Sequence, residues 1–112
     1  MDEVIRKVAS LGLPGVILVT TMAATGFAGA AAITTALAIL GGPFGMLGGI
    51  GVLGILALVA DALSKSGIDT LLAGIYLERS KTEAREKLCQ EIDQLSISWE
   101  LKLKLKSLLN CG

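Results

Sequence analysis

Histidine is absent from the 112 residues, and with it the side chain most often used as a base or metal ligand near neutral pH. The two cysteines, Cys89 and Cys111, form no CxxC or Cys/His cluster. The stretch from Gly41 to Gly54 contains no lysine, so a phosphate-binding loop there would lack its cation. No nucleophile stands in a recognisable nucleophile–base constellation. These absences argue against an enzyme and against a metal or cofactor site. Net charge is zero and the pI is about 6.2, which leaves no basic footprint for nucleic acid. The largest absence is of charge itself: Val8 to Ala60 contains no Asp, Glu, Lys or Arg over 53 residues.

What fills that run is apolar and small. The chain is 53% hydrophobic, carries 14 glycines besides, and has a mean hydropathy of +0.71. A bilayer core takes about 20 apolar residues per helix, so the run is long enough to cross twice, with its break at Gly41-Gly42-Pro43-Phe44-Gly45. Asp2, Glu3, Arg6 and Lys7 precede it and every other charge follows it. The sequence thus predicts an all-α protein: a glycine/alanine-rich transmembrane helical hairpin, a long amphipathic and charged helix, then a short C-terminal amphipathic helix. A soluble monomer of this size buries only about two-thirds of its surface, leaving little chain to wrap such a hairpin; a soluble oligomer covers it between subunits.

Three segments follow. Residues 1–13 form an amphipathic lead-in, with Val4, Ile5, Val8 and Leu11 at helical spacing, read as a frayed extension or a surface anchor. Residues 14–64 form the hairpin, with helices over 14–40 and 44–64 and a turn near 41–45. Pro14 suits a first turn, where its missing N–H leaves no bond unmade. Residues 65–112 form a cytosolic tail, with a turn at Ser64-Lys65-Ser66-Gly67, a third helix over 68–95 and a final segment over 97–109. In that last segment Ile97, Trp99, Leu101, Leu103 and Leu105 alternate as in a strand. Ile97, Leu101, Leu105, Leu108 and Leu109 also fit a helix face, and with no partner strand in the chain a helix is expected. The polar stretch 78–87 reads as a solvated face, supported by Glu83 and Lys87 at i, i+4.

Arg6 and Lys7 before the hairpin and Lys65 after it place both termini in the cytosol by the positive-inside rule. In that compartment both cysteines are expected as reduced thiols. Ala28-Gly29-Ala30 has the form of a signal-peptidase site, but Asp2 and Glu3 spoil the basic leader and the apolar run continues past it, so cleavage is not expected.

Small residues are the strongest functional signal. Ala24, Ala28 and Ala32 recur at four-residue intervals with Thr20 and Ala36, and Gly41, Gly45 and Gly49 form a GxxxGxxxG pattern beside Gly48, Gly51 and Gly54. In lipid, small residues let helix backbones approach closely. With Gly41 in the turn, Gly45, Gly48 and Gly49, with Ala24, Ala28 and Ala32, are read as the seam that closes the hairpin or joins copies. Thr21, Thr25, Thr35 and Asp61 are the candidate pore-lining residues. Asp61 is also read as an interfacial residue paired with Lys65, and the threonines as bonding their own helix backbone. Trp99, Lys102, Lys104 and Lys106 are candidates for contact with a membrane surface or a partner.

With its uncharged Gly41–Gly45 tip, the 14–64 hairpin resembles, in plan only, the membrane-inserting hairpins of colicin-type toxins and other glycine-zipper membrane proteins. The resulting expectation is a self-associating membrane protein that forms a permeabilising or channel-like homo-oligomer, of the toxin or cell-death effector type. Two alternatives stand beside it: a non-conducting anchor that recruits a protein through residues 68–109, and a soluble shell or filament with its hairpins buried between subunits.

Overall fold

The computed structural model describes residues 2–25 and 49–111, with side chains for 2–24 and 54–111. The described residues form five helices and no strand, so the all-α expectation holds. They are α1 (Asp2–Ser10), α2 (Leu13–Thr25), α3 (Gly49–Arg79), α4 (Arg85–Gln94) and α5 (Trp99–Leu108). The hairpin tip at 41–45 lies outside the described residues. Among them no helix is long and apolar enough to cross a membrane.

Helix α1 carries Asp2 and Glu3 in its first turn and Lys7 in its last, the arrangement that suits the helix dipole. Lys7 and Glu3 pair at 3.1 Å. The apolar face of α1 is not free: Val4 and Val8 are buried, and α1 packs against α3 and α2. It is therefore neither a frayed lead-in nor a helix lying loose on a surface. The chain turns at Gly12, which has a φ of +69°, and starts α2 with Pro14 in the first turn, as expected. That corner is tight enough that a Cβ on Gly15 would stand 2.5 Å from the Val8 carbonyl oxygen.

Helix α2 is apolar on nearly every side. Val16, Leu18, Val19 and Met22 are wholly buried, and they pack into the same core as Val59, Ala62 and Leu63 of α3. The expected turn at Ser64-Lys65-Ser66-Gly67 is present as a kink that divides α3 into two helices, with Gly67 at φ 81° and ψ 166°, a region open essentially only to glycine; the second helix runs on to Arg79. Leu71, Leu72, Ile75 and Tyr76 extend the core along this second half of α3. On the far side of the same half, a Cβ on Gly74 would collide with Ile5 of α1, so this glycine sets how closely α1 and α3 approach.

The expected third helix over 68–95 is broken at residues 80–84. Ser80 Oγ donates to the Leu77 carbonyl at 2.6 Å, and Thr82 Oγ1 reaches that of Arg79 at 3.5 Å. Such local side-chain bonds satisfy the last carbonyls and compete with continuation of the helix. Leu88, Ile92 and Leu95 then resume the apolar stripe on α4 and just past its end.

The ambiguous C-terminal segment is a helix. Ser98 caps it by accepting a hydrogen bond from Leu101 N at 3.1 Å, and Leu101, Leu105 and Leu109 are buried at spacings of four. Its end is a Schellman turn: Cys111 N donates to Lys106 O at 2.8 Å and Asn110 N to Ser107 O at 3.1 Å, with Asn110 at φ 56°. That turn carries the chain back to α4, where Cys111 is joined to Cys89. The reduced-thiol expectation is thereby corrected. The Cα atoms are 6.0 Å apart, inside the span a disulfide requires. Spacing along the chain gave no sign of this, because the antiparallel return of α5 creates it.

Candidate functional site

The most constrained polar site lies where α3 turns into α4. Arg79 is 2% exposed, the one buried charged residue among those described. It occupies the position after Leu72, Ile75 and Tyr76 on the buried stripe of α3, so the helix period carries it inward. Its guanidinium forks twice. Nε and Nη2 donate to the two Glu83 carboxylate oxygens at 2.7 and 2.9 Å. Nη2 also donates to Glu91 Oε1 at 2.9 Å, and Nη1 to Glu91 Oε2. The Tyr76 hydroxyl donates to Glu91 Oε2 at 2.5 Å, and the Tyr76 ring centre stands 5.3 Å from the guanidinium carbon, within cation–π range. Lys87 completes the set, 3.2 Å from Glu83, as the i, i+4 spacing predicts.

The electrostatics follow from this packing. Burial pushes the Tyr76 hydroxyl pKa well up, and the Glu91 carboxylate adds to the shift. Burial works against the charge on Arg79, but its bonds to Glu83 and Glu91 outweigh that and hold it protonated. Glu83 is pulled down to about 2, chiefly by its hydrogen bonds from Arg79, against the opposing effect of burial. Two cations face two carboxylates, and among the described residues no buried side-chain nitrogen or oxygen lacks a partner. A charge set so fully engaged acts as a lock between helices. The expected solvated face over 78–87 is thus corrected at Arg79: one member of the charged run points into the core.

The sequence-predicted site residues are scattered. Gly45, Gly48, Ala28, Ala32 and Thr35 lie outside the described residues. Gly49 opens α3 and Thr25 closes α2, and only their backbone is described. Ala24 is exposed on α2. Thr21 is half-buried and, with Leu13, Ile17, Thr20, Gln94 and Leu95, lines a groove of about 400 Å³ between α2 and the end of α4. Its neighbour Thr20 donates to its own helix at Ile17 O, 3.0 Å away. Asp61 is exposed and pairs with Lys65 at 3.2 Å, as expected.

The tail lysines are engaged within the chain. Lys102 Nζ donates to Asp93 O at 2.8 Å, Lys104 pairs with Asp69 at 3.0 Å and Lys106 with Asp93 at 2.9 Å. What α5 presents outward is Trp99, 66% exposed, and Leu103, one turn further on. Among the described residues no group of His, Cys, Asp or Glu is placed to hold a metal ion.

Sequence reasoning missed Arg79, Glu91, Gly15 and Gly74. The signal for Arg79 was its place on the Leu72–Ile75 stripe; for the others, tertiary approach alone decides. No family model, no curated protein and no solved structure matches the chain.

Proposed function

We propose that this chain is a small membrane-active protein that inserts an uncharged hairpin from a helical body and self-associates into a permeabilising assembly. The supporting observation is the division of the chain. Met22 and Val59 are wholly buried in a body whose other helices carry ion pairs, and the sequence between them has no charge. If the body retains residues up to 22 and from 59, a turn at 41–45 leaves limbs of roughly 27 Å and 20 Å at 1.5 Å per residue. Both fall short of the ~30 Å hydrocarbon core. Such a hairpin enters from one face, and several copies joined through Gly45, Gly48 and Gly49 are needed to perturb both leaflets. The packing of α1 against α3 supports an arrangement in which both ends of the hairpin lie on the same side of the bilayer.

The test is dye release from liposomes by the purified protein. Release that rises steeply with protein concentration and falls with Gly45→Leu and Gly49→Leu supports the proposal. A well-inserted oligomer that releases nothing overturns it. One observation favours a second reading, a non-conducting anchor: Trp99, exposed on α5 one turn from exposed Leu103, is of a side-chain type enriched at the centre of protein interfaces. Under that reading Trp99→Ala abolishes partner recruitment and leaves insertion intact.

A further inference from the structure

We propose that Cys89 and Cys111 form a redox-responsive latch that pins α5 to the helical body. This inference does not rest on the permeabilising reading. Three observations carry it. First, the pair joins α4 to the residue that ends the Schellman turn of α5, across a sequence separation of 22, so the bond encloses the whole of α5. Second, the pair lies at an open surface: the two cysteines are half-buried and border an open groove shared with Arg85, Glu86, Gln90, Asp93, Lys106 and Asn110. A small thiol or disulfide can approach the bond there, and exchange proceeds through the thiolate, the reactive form. Third, the turn that aims Cys111 at α4 is held by its own backbone bonds, Cys111 N to Lys106 O and Asn110 N to Ser107 O. The thiols therefore stay near each other after reduction, and the latch re-forms.

Closing the latch makes the Sγ–Sγ bond. The two thiol protons and two electrons pass to an oxidant of the disulfide class, which leaves as two thiols by exchange through a mixed disulfide. A dithiol reverses the step. Apart from this bond α5 is held by Leu101, Leu105 and Leu109, by the hydrogen bond from Lys102 to the Asp93 carbonyl and by surface ion pairs to Asp69 and Asp93, which are individually weak. Closing a loop of this length shifts the opening equilibrium on the order of 100-fold.

The experiment is hydrogen exchange by mass spectrometry on the full-length protein, equilibrated with glutathione disulfide or with dithiothreitol, with thiols counted by maleimide tagging. The expected result is no free thiol after glutathione disulfide and two after dithiothreitol. With reduction, amides over 99–108 should exchange about 100-fold faster, while those of α1 are unchanged. The Cys89→Ser variant should show the reduced pattern under both conditions. Two free thiols persisting in glutathione disulfide, or equal α5 exchange in the oxidised and reduced wild type, overturns the proposal.

Discussion

Arg79 holds the Glu91 carboxylate through two guanidinium nitrogens, closing the end of α3 onto α4 across the turn at 80–84. The side chain of Glu91 is 8% exposed and that of Arg79 2%. Removing one partner leaves the other charged and dry, which is the costly case for a buried pair. Arg79→Ala should therefore destabilise the body by about 3–5 kcal/mol in urea unfolding. Replacing both residues together, Arg79→Met with Glu91→Gln, which keeps an acceptor for the buried Tyr76 hydroxyl, should cost clearly less than Arg79→Ala alone. A double variant as unstable as the single one would show that the pair itself, and not the stranded charge, sets the stability.

The same lock has a predictable response to acid. The folded-state pKa of Glu83 is lowered from 4.5 to about 2. A carboxylate with a depressed pKa contributes stability that is complete above its unfolded value and is lost as pH falls through its folded one. That contribution is on the order of 1–2 kcal/mol after allowance for partial exposure. The thermal midpoint should thus show no loss from Glu83 between pH 7 and 5 and should fall between about pH 4.5 and 2. The Glu83→Gln variant should lose this part of the fall. Mild acidification is therefore not expected to open α3 from α4 through this residue.

Gly15 and Gly54 should respond oppositely to alanine. At Gly15 a Cβ meets backbone, the Val8 carbonyl at 2.5 Å, and overpacking of this kind costs about 1–3 kcal/mol. At Gly54, helical and exposed, a Cβ meets nothing within 4 Å, and alanine should add up to about 1 kcal/mol of helix stability. Thermal melts of the two variants check the pair. If Gly54→Ala instead reduces oligomer size on detergent gel filtration, Gly54 packs against a second copy.

Gly74 offers a cleaner case, because the obstacle is a flexible side chain. A Cβ there runs into Cδ1 of Ile5. Ile5→Val removes that atom, so Gly74→Ala should cost about 1–2 kcal/mol in the wild-type background and markedly less beside Ile5→Val. A double-mutant cycle on denaturant midpoints reads the coupling directly.

Loss of the Ser98 cap should cost about 1 kcal/mol. Ser98→Ala leaves Leu101 N without its acceptor, and amide exchange in the first turn of α5 should rise accordingly.

What the sequence made legible was local. The Asp61–Lys65 and Glu83–Lys87 pairs, the amphipathic α1, Pro14 in the first turn of α2 and the helical nature of α5 all follow from spacings of three or four residues, and the structure contains each. The break after Arg79 was harder to read, because Ser80 and Thr82 look like ordinary members of a charged helix until their hydroxyls are seen on its last carbonyls. Arg79 itself sits in a run of charged residues whose other members are wet, and only its phase relative to Ile75 and Tyr76 marks it. The joining of Cys89 to Cys111 and the close approach at Gly74 depend on helices distant in sequence. No local pattern encodes them.

The bend at Gly67 has an architectural consequence. It divides α3 into two arms: one runs back towards the uncharged segment, and the other ends in the Arg79 lock. At φ 81° and ψ 166°, with open space where a Cβ would stand, the conformation at the bend is one that its own backbone permits rather than one that a close approach imposes. Both arms are packed: Val59, Ala62 and Leu63 on the first and Leu71, Leu72 and Ile75 on the second lie in one core. One residue's backbone thus decides how a single stretch of chain lays both of its halves against the same core.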